Sequence, residues 1–128
     1  MTSSLNILHV DDEPDIREVT AMSLSLDVDV VLTSTASGAE ALSLLKNGLR
    51  ADVILLDVMM PTLDGPRTLV ALRKLPDHER TPVIFMTARV QSSEVGRYIA
   101  LGAVGVIVKP FDPMTLAASV RAVLADPE

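Results

Sequence analysis

Four acids, a hydroxyl and an amine stand where the apolar runs of this chain stop. Asp11-Asp12-Glu13 closes the first run, Asp57 the third, Thr87 the fourth and Lys109 the fifth. Two carboxylates about 4 Å apart repel by roughly 4 kcal/mol at an effective dielectric of about 20. Asp11, Asp12 and Asp57 gathered in one place therefore need a proton on one of them or a cation among them. Oxygen donors without His or Cys suit a hard divalent ion. Magnesium takes one or two carboxylates, keeps several waters and completes its shell with phosphate. Such an ion inverts the local charge and admits a phosphoryl group. Lys109 offers that group a second positive contact and Thr87 a hydroxyl donor. In those surroundings the carboxylate of Asp57 is a candidate nucleophile toward phosphorus.

Each residue taken singly has a plainer reading. Asp12 or Glu13 could simply cap the helix that follows, Asp57 could open an acidic loop, and a lone Thr or Lys ending a strand means nothing. Their convergence depends on the elements that carry them. Short, continuous apolar runs at Leu5–Val10, Val28–Leu32, Val53–Leu56, Val83–Met86 and Val106–Val108 read as strands buried on both faces of a parallel sheet. Helical period separates them. Leu42, Leu45 and Leu49 follow the capping box Ser37-Gly38-Ala39-Glu40, and Leu116, Val120, Val123 and Leu124 follow Asp112-Pro113, an N-cap with proline at the first helical position. Ile16, Val19 and Leu26 mark a first helix, Leu69 and Leu72 a third, Val95 and Ile99 a fourth. Five βα units predict a doubly wound α/β domain, whose strands present their carboxyl ends along one ligand-binding edge.

Composition narrows the function further. A chain of 128 residues that is 48% apolar and 22% charged predicts one folded domain. No apolar run reaches the roughly 18 residues of a membrane span, so no membrane insertion is expected. Met1-Thr2-Ser3-Ser4 carries no basic segment ahead of an apolar stretch, which speaks against a secretory signal. The absence of cysteine fits a reducing compartment, and a cytoplasmic location is expected. A net charge of −6 speaks against direct nucleic-acid binding.

The combined pattern resembles the receiver domains of two-component response regulators. The residues that carry the likeness are Asp11-Asp12, Asp57 with Met60-Pro61 and Asp64-Gly65, Thr87-Ala88, and Lys109-Pro110-Phe111. The likeness runs over about residues 5 to 125. It implies a flavodoxin-like sheet order 2-1-3-4-5 and a single receiver domain over residues 1–128, with no output domain. It also implies that Asp57 takes a phosphoryl group from a sensor histidine kinase or a histidine phosphotransfer protein. Magnesium would be held by Asp12, by Asp11 mainly through water, by Asp57 and by the backbone carbonyl of Met59. Thr87 would be the hydroxyl that moves to the phosphoryl group and Lys109 the amine that grips it. Lys109-Pro110 would be a cis peptide. Met59 and Arg89, two residues beyond Asp57 and Thr87, would set the lifetime of the phosphorylated state. The expected output is a downstream protein contact or onward phosphotransfer, and the domain is expected to be a phosphoacceptor rather than a turnover enzyme.

Two departures stand out. Where many members of the family carry an aromatic on the fifth strand, this chain has Val106, and Pro66 directly follows Asp64-Gly65. Several residues are read as structural: His9 as packed beneath a helix, His78 as a solvated loop residue, Arg67, Arg73 and Lys74 as a solvated face, Tyr98 as partial packing. Competing functions fit less well. A phosphohydrolase needs a further acid near its nucleophile, and the residue two beyond Asp57 is Met59. A flavodoxin-like cofactor binder needs a phosphate loop where this chain has Asp-Asp-Glu-Pro-Asp. A receiver fragment of a larger regulator or hybrid kinase, and a phosphorylation-independent scaffold, remain the alternatives.

Overall fold

The computed structural model describes residues 4–88 and 91–125. Ten elements alternate without exception: β1 (Leu5–Val10), α1 (Pro14–Leu24), β2 (Val30–Thr35), α2 (Gly38–Lys46), β3 (Val53–Asp57), α3 (Gly65–Leu72), β4 (Val83–Thr87), α4 (Ser92–Ala100), β5 (Gly105–Val108) and α5 (Leu116–Ala125). All strand pairs are parallel and the order across the sheet is 2-1-3-4-5. This is the doubly wound, flavodoxin-like topology that the resemblance implies.

The central strands β3 and β4 are buried at every residue, which explains their unbroken apolar sequence. Side-chain alternation sends each strand to two separate cores. Leu8, Val10, Ile54, Leu56 and Phe85 pack with Ala41, Leu45, Leu69 and Leu72 of α2 and α3. Ile7, Val53, Leu55, Ile84 and Met86 pack with Leu24 of α1 and Leu116 and Val120 of α5. At roughly 1.5–3 kcal/mol for each large apolar side chain fully buried, these two layers supply the dominant stabilisation of the fold.

Local signals place the helices. Ser37 caps α2 by accepting from the Glu40 amide at 3.0 Å, and the Glu40 carboxylate accepts from the Ala36 amide at 2.8 Å. Asp64 caps α3 through the Arg67 amide at 2.9 Å, with Pro66 in the first turn. Two boundaries differ from the sequence reading. The second strand runs from Val30 to Thr35 rather than from Val28, because its register with β1 continues to the Val10–Thr35 pair; Val28 lies in the preceding turn and is 92% exposed. The fifth helix starts at Leu116, since Asp112 accepts from the Met114 amide and closes a local turn instead of capping a helix at Pro113.

Candidate functional site

The carboxyl ends of β1, β3, β4 and β5 deliver four of the site residues, and the loop after β1 delivers Asp12. Carboxylate oxygens of Asp11, Asp12 and Asp57 lie within 4.8 Å of one another. Lys109 Nζ sits between two of these acids, 2.9 Å from Asp11 Oδ2 and 3.1 Å from Asp57 Oδ1. Thr87 is buried opposite Val108 in the β4–β5 ladder, and its carbonyl accepts from the Lys109 amide at 2.9 Å. The lysine is thereby anchored by its own backbone to the strand that carries the hydroxyl. The Lys109-Pro110 peptide is cis.

Several groups hold this arrangement in place. Asp11 Oδ1 accepts from the Glu13 amide at 2.9 Å, so the turn into α1 is stabilised by Asp11, while Glu13 at the N-cap makes no side-chain capping bond. Arg17 Nη1 donates to the Asp11 carbonyl at 2.7 Å. The sequence reading passed over Arg17; its signal is an arginine one turn inside a helix that starts directly beneath the acidic pair. On the other side, Gly65 lets α3 begin hard against the end of β3. A side chain there would collide with the Asp57 carbonyl and crowd Val58 Cα.

The electrostatics follow from this geometry. Burial, reinforced by the charge of Asp11, raises the Asp57 carboxyl to about 6, and the bond to Lys109 offsets only part of that. Burial lowers the affinity of Lys109 for its proton, yet its bonds to Asp11 and Asp57 outweigh this and hold it above the ordinary lysine value. Three carboxylates face one ammonium, an excess of two negative charges in a cluster of oxygen donors. That excess, together with the raised Asp57, is the chemistry of a site that accepts a hard divalent cation. Met59 follows Asp57 by two residues with its side chain exposed. Arg89 lies outside the described residues.

The residues read as structural divide. His9 is fully buried, as expected, and among the described residues neither ring nitrogen has a hydrogen-bond partner. Burial lowers it to about 4, which keeps the imidazole neutral. His78 corrects the sequence reading: it is buried, and its Nδ1 lies 3.0 Å from Thr81 Oγ1. Arg73 corrects it too, because its guanidinium donates to the carbonyls of His78, Thr81 and Gly102. Tyr98 is part of the core on the α3–α4 side, its ring tilted at 55° to that of Phe85, while Val106 is only partly buried against the same cluster.

A parallel 2-1-3-4-5 sheet with an acid trio and a lysine on its carboxyl edge is the arrangement of a receiver-type signalling domain. The response regulator receiver domain family matches residues 7–121, and the chain belongs to that family. Among curated proteins it is 36% identical over 124 residues to the transcriptional regulatory protein CseB of Streptomyces coelicolor, covering 97% of this chain and 51% of that protein. It is 42% identical over 119 residues to the probable transcriptional regulator ycf27 of Porphyridium aerugineum, covering 92% of this chain and 47% of that protein. The chain thus spans about half the length of these relatives. Among solved structures, the chemotaxis response regulator CheY4 of Vibrio cholerae superposes with a TM-score of 0.85 at 32% identity, covering 94% of this chain and 99% of that one. The receiver domain of sensor histidine kinase PA1611 from Pseudomonas aeruginosa, solved with magnesium coordinated in its active-site cleft, gives a TM-score of 0.82 at 25% identity, covering 97% of this chain and 100% of that one. No helix among the described residues is long and apolar enough to cross a membrane.

Proposed function

We propose that this receiver domain accepts a phosphoryl group on Asp57 from the phosphohistidine of a sensor histidine kinase or a histidine phosphotransfer protein. The observation that carries the reading is the position of Lys109 Nζ, bonded at once to Asp11 and Asp57 beside Asp12. An Asp57 oxygen attacks phosphorus, the bond from phosphorus to the imidazole nitrogen breaks, and the imidazole leaves with the bonding pair. Lys109 is placed to follow the developing charge, exchanging its contact with the Asp57 carboxylate for one with a phosphoryl oxygen. Thr87 supplies a hydroxyl at the end of the adjacent strand. Asp11, Asp12, Asp57 and the Met59 carbonyl would hold Mg2+, which when bound neutralises phosphoryl oxygens and lets an anion enter an acidic cleft.

The domain is on this reading a phosphoacceptor, cytoplasmic, whose output is a phosphorylation-dependent contact with a downstream protein or onward phosphotransfer. It is not a turnover enzyme, for the loop after Asp57 offers Met59 where a hydrolase would place an acid–base group. The half-length coverage of CseB and ycf27 favours a second reading of the output only: the receiver acts on a further domain of a longer regulator.

The test is mass spectrometry after incubation with a small phosphoryl donor and with phosphorylated histidine kinases, with and without magnesium. One phosphoryl group on Asp57, dependent on the divalent ion, is expected. Equal labelling of an Asp57→Asn variant would overturn the assignment.

A further inference from the structure

Asp12 is held differently from the other two acids of the trio. Asp11 is bonded at every polar atom. Its amide donates to the Thr35 carbonyl at 3.1 Å and its carbonyl accepts from Arg17 Nη1 at 2.7 Å. Its Oδ1 accepts from the Glu13 amide and its Oδ2 from Lys109, both at 2.9 Å. Asp57 is bonded to the same lysine. The carboxylate of Asp12, by contrast, meets no donor among the described residues. Both of its oxygens are open to a cation, yet nothing grips the side chain.

What grips Asp12 is the backbone on either side of it. The peptide entering Asp12 is clamped at its oxygen, the Asp11 carbonyl, by Arg17. The peptide leaving Asp12 is clamped at its hydrogen, on the Glu13 amide, by Asp11 Oδ1. Each peptide is a rigid plane, so holding both fixes the direction in which the Asp12 side chain leaves the chain. One clamp is supplied from within the acidic pair. The other comes from α1, where Arg17 is half-buried and, among the described residues, makes no ion pair with any acid. Its bond goes to a carbonyl and not to a carboxylate.

We infer that Arg17 is a positioning residue of the cation site, which fixes Asp12 for magnesium and thereby favours magnesium over calcium. The inference rests on the reading that the acid trio takes a divalent ion. Magnesium demands near-octahedral geometry at about 2.0–2.1 Å, whereas calcium accepts oxygens at about 2.3–2.6 Å in flexible arrangements. A carboxylate on a loosened backbone therefore loses more of its hold on the smaller ion. Groups that orient a metal ligand from behind typically carry about 10- to 100-fold in affinity.

Calorimetric titration with Mg2+ and with Ca2+, with no phosphoryl donor present, tests this on the parent, Arg17→Met and Arg17→Lys. Arg17→Met keeps a long, helix-favouring side chain and removes the donor. It should weaken magnesium about tenfold and calcium by less than about threefold. Arg17→Lys keeps a donor on a long stem and should recover part of the magnesium affinity. In the ion-free protein, the amide resonances of Asp12 and Glu13 should move in Arg17→Met. Circular dichroism establishes that both variants fold. Were Arg17 only a counter-charge to the acids, its removal would relieve repulsion and tighten both ions. Were it only a support of the fold, both ions would weaken in the same proportion. Either result overturns the inference, as does an Arg17→Met protein with the affinities of its parent. A parent that binds neither ion overturns the cation site itself, and the role of Arg17 with it.

Discussion

The guanidinium of Arg73, at the end of α3, donates to the carbonyl of Gly102 at the end of α4, with Nη2 3.2 Å from the oxygen. Its Nη1 reaches the carbonyls of Thr81 and His78 at 2.6 and 3.1 Å. One side chain therefore ties the α3–β4 loop and the last turn of α4 to the body of α3. Gly102 has φ +113°, a backbone conformation that a side chain would strain.

Arg73→Met should cost about 2–3 kcal/mol in urea unfolding, because three carbonyls lose a charged donor. Arg73→Lys should recover only part, since a point-charge ammonium cannot span all three as a planar fork does. A loss below about 0.5 kcal/mol would place Arg73 among ordinary surface cations.

Asp57 carries a pH dependence with a defined direction. Its folded pKa of about 6 lies above the ordinary aspartate value of 3.8, so the folded chain holds an extra proton between those values. The stability contributed by this group is complete below the lower value and is lost as pH rises through the upper one. Asp57→Asn should therefore raise stability at pH 7, without magnesium, by about 1–3 kcal/mol, and the gain should vanish near pH 4. An asparagine variant no more stable than its parent at pH 7 contradicts the crowding argument.

Magnesium should compete with that proton. Calorimetric titration should show affinity falling as pH drops through about 6, where Asp57 protonates. Asp12→Ala should weaken binding at least tenfold, about 1.4 kcal/mol, by removing a carboxylate from the cluster. Binding that is flat between pH 5 and 8 would place the ion elsewhere.

The exposed Met59 beside the acceptor predicts a slow loss of the phosphoryl group. Its thioether is a weak acceptor that gives an approaching water little to bond to. Met59→Glu or Met59→Asn should shorten the half-life several-fold, followed by the decay of labelled protein after removal of the donor. Identical decay would remove Met59 from the control of water access.

Much of this was legible in the sequence because the signals are local and repeated. Continuous apolar runs marked the strands, a capping box marked α2, and the placement of Asp11, Asp57, Thr87 and Lys109 at strand ends marked the edge. The misread residues depend on contacts remote in sequence. The extent of β2 is fixed by its pairing with β1, which outweighs the weak strand signal of Thr33-Ser34-Thr35. His78 sits among polar neighbours in the chain, yet the fold buries it against Thr81. The partners of Arg73 include a carbonyl on a different helix. Tyr98 reads as one position of a weak helical stripe, and only the packing of α4 over β4 brings it to within 5.0 Å of the Phe85 ring centroid.

That last contact also has an optical consequence. The chain has one tyrosine and no tryptophan, so emission excited beyond the phenylalanine absorption band comes from Tyr98 alone. This fluorophore is 5% exposed, in tilted contact with the Phe85 ring, with its hydroxyl 3.4 Å from Glu94 Oε2 on the same helix. A change of α4 packing alters its quenching and polarity, while events confined to α1, α2 or α5 leave its emission unchanged. The unlabelled protein is thus its own single-site probe, reporting in real time whether chemistry at Asp57 reaches the fourth helix.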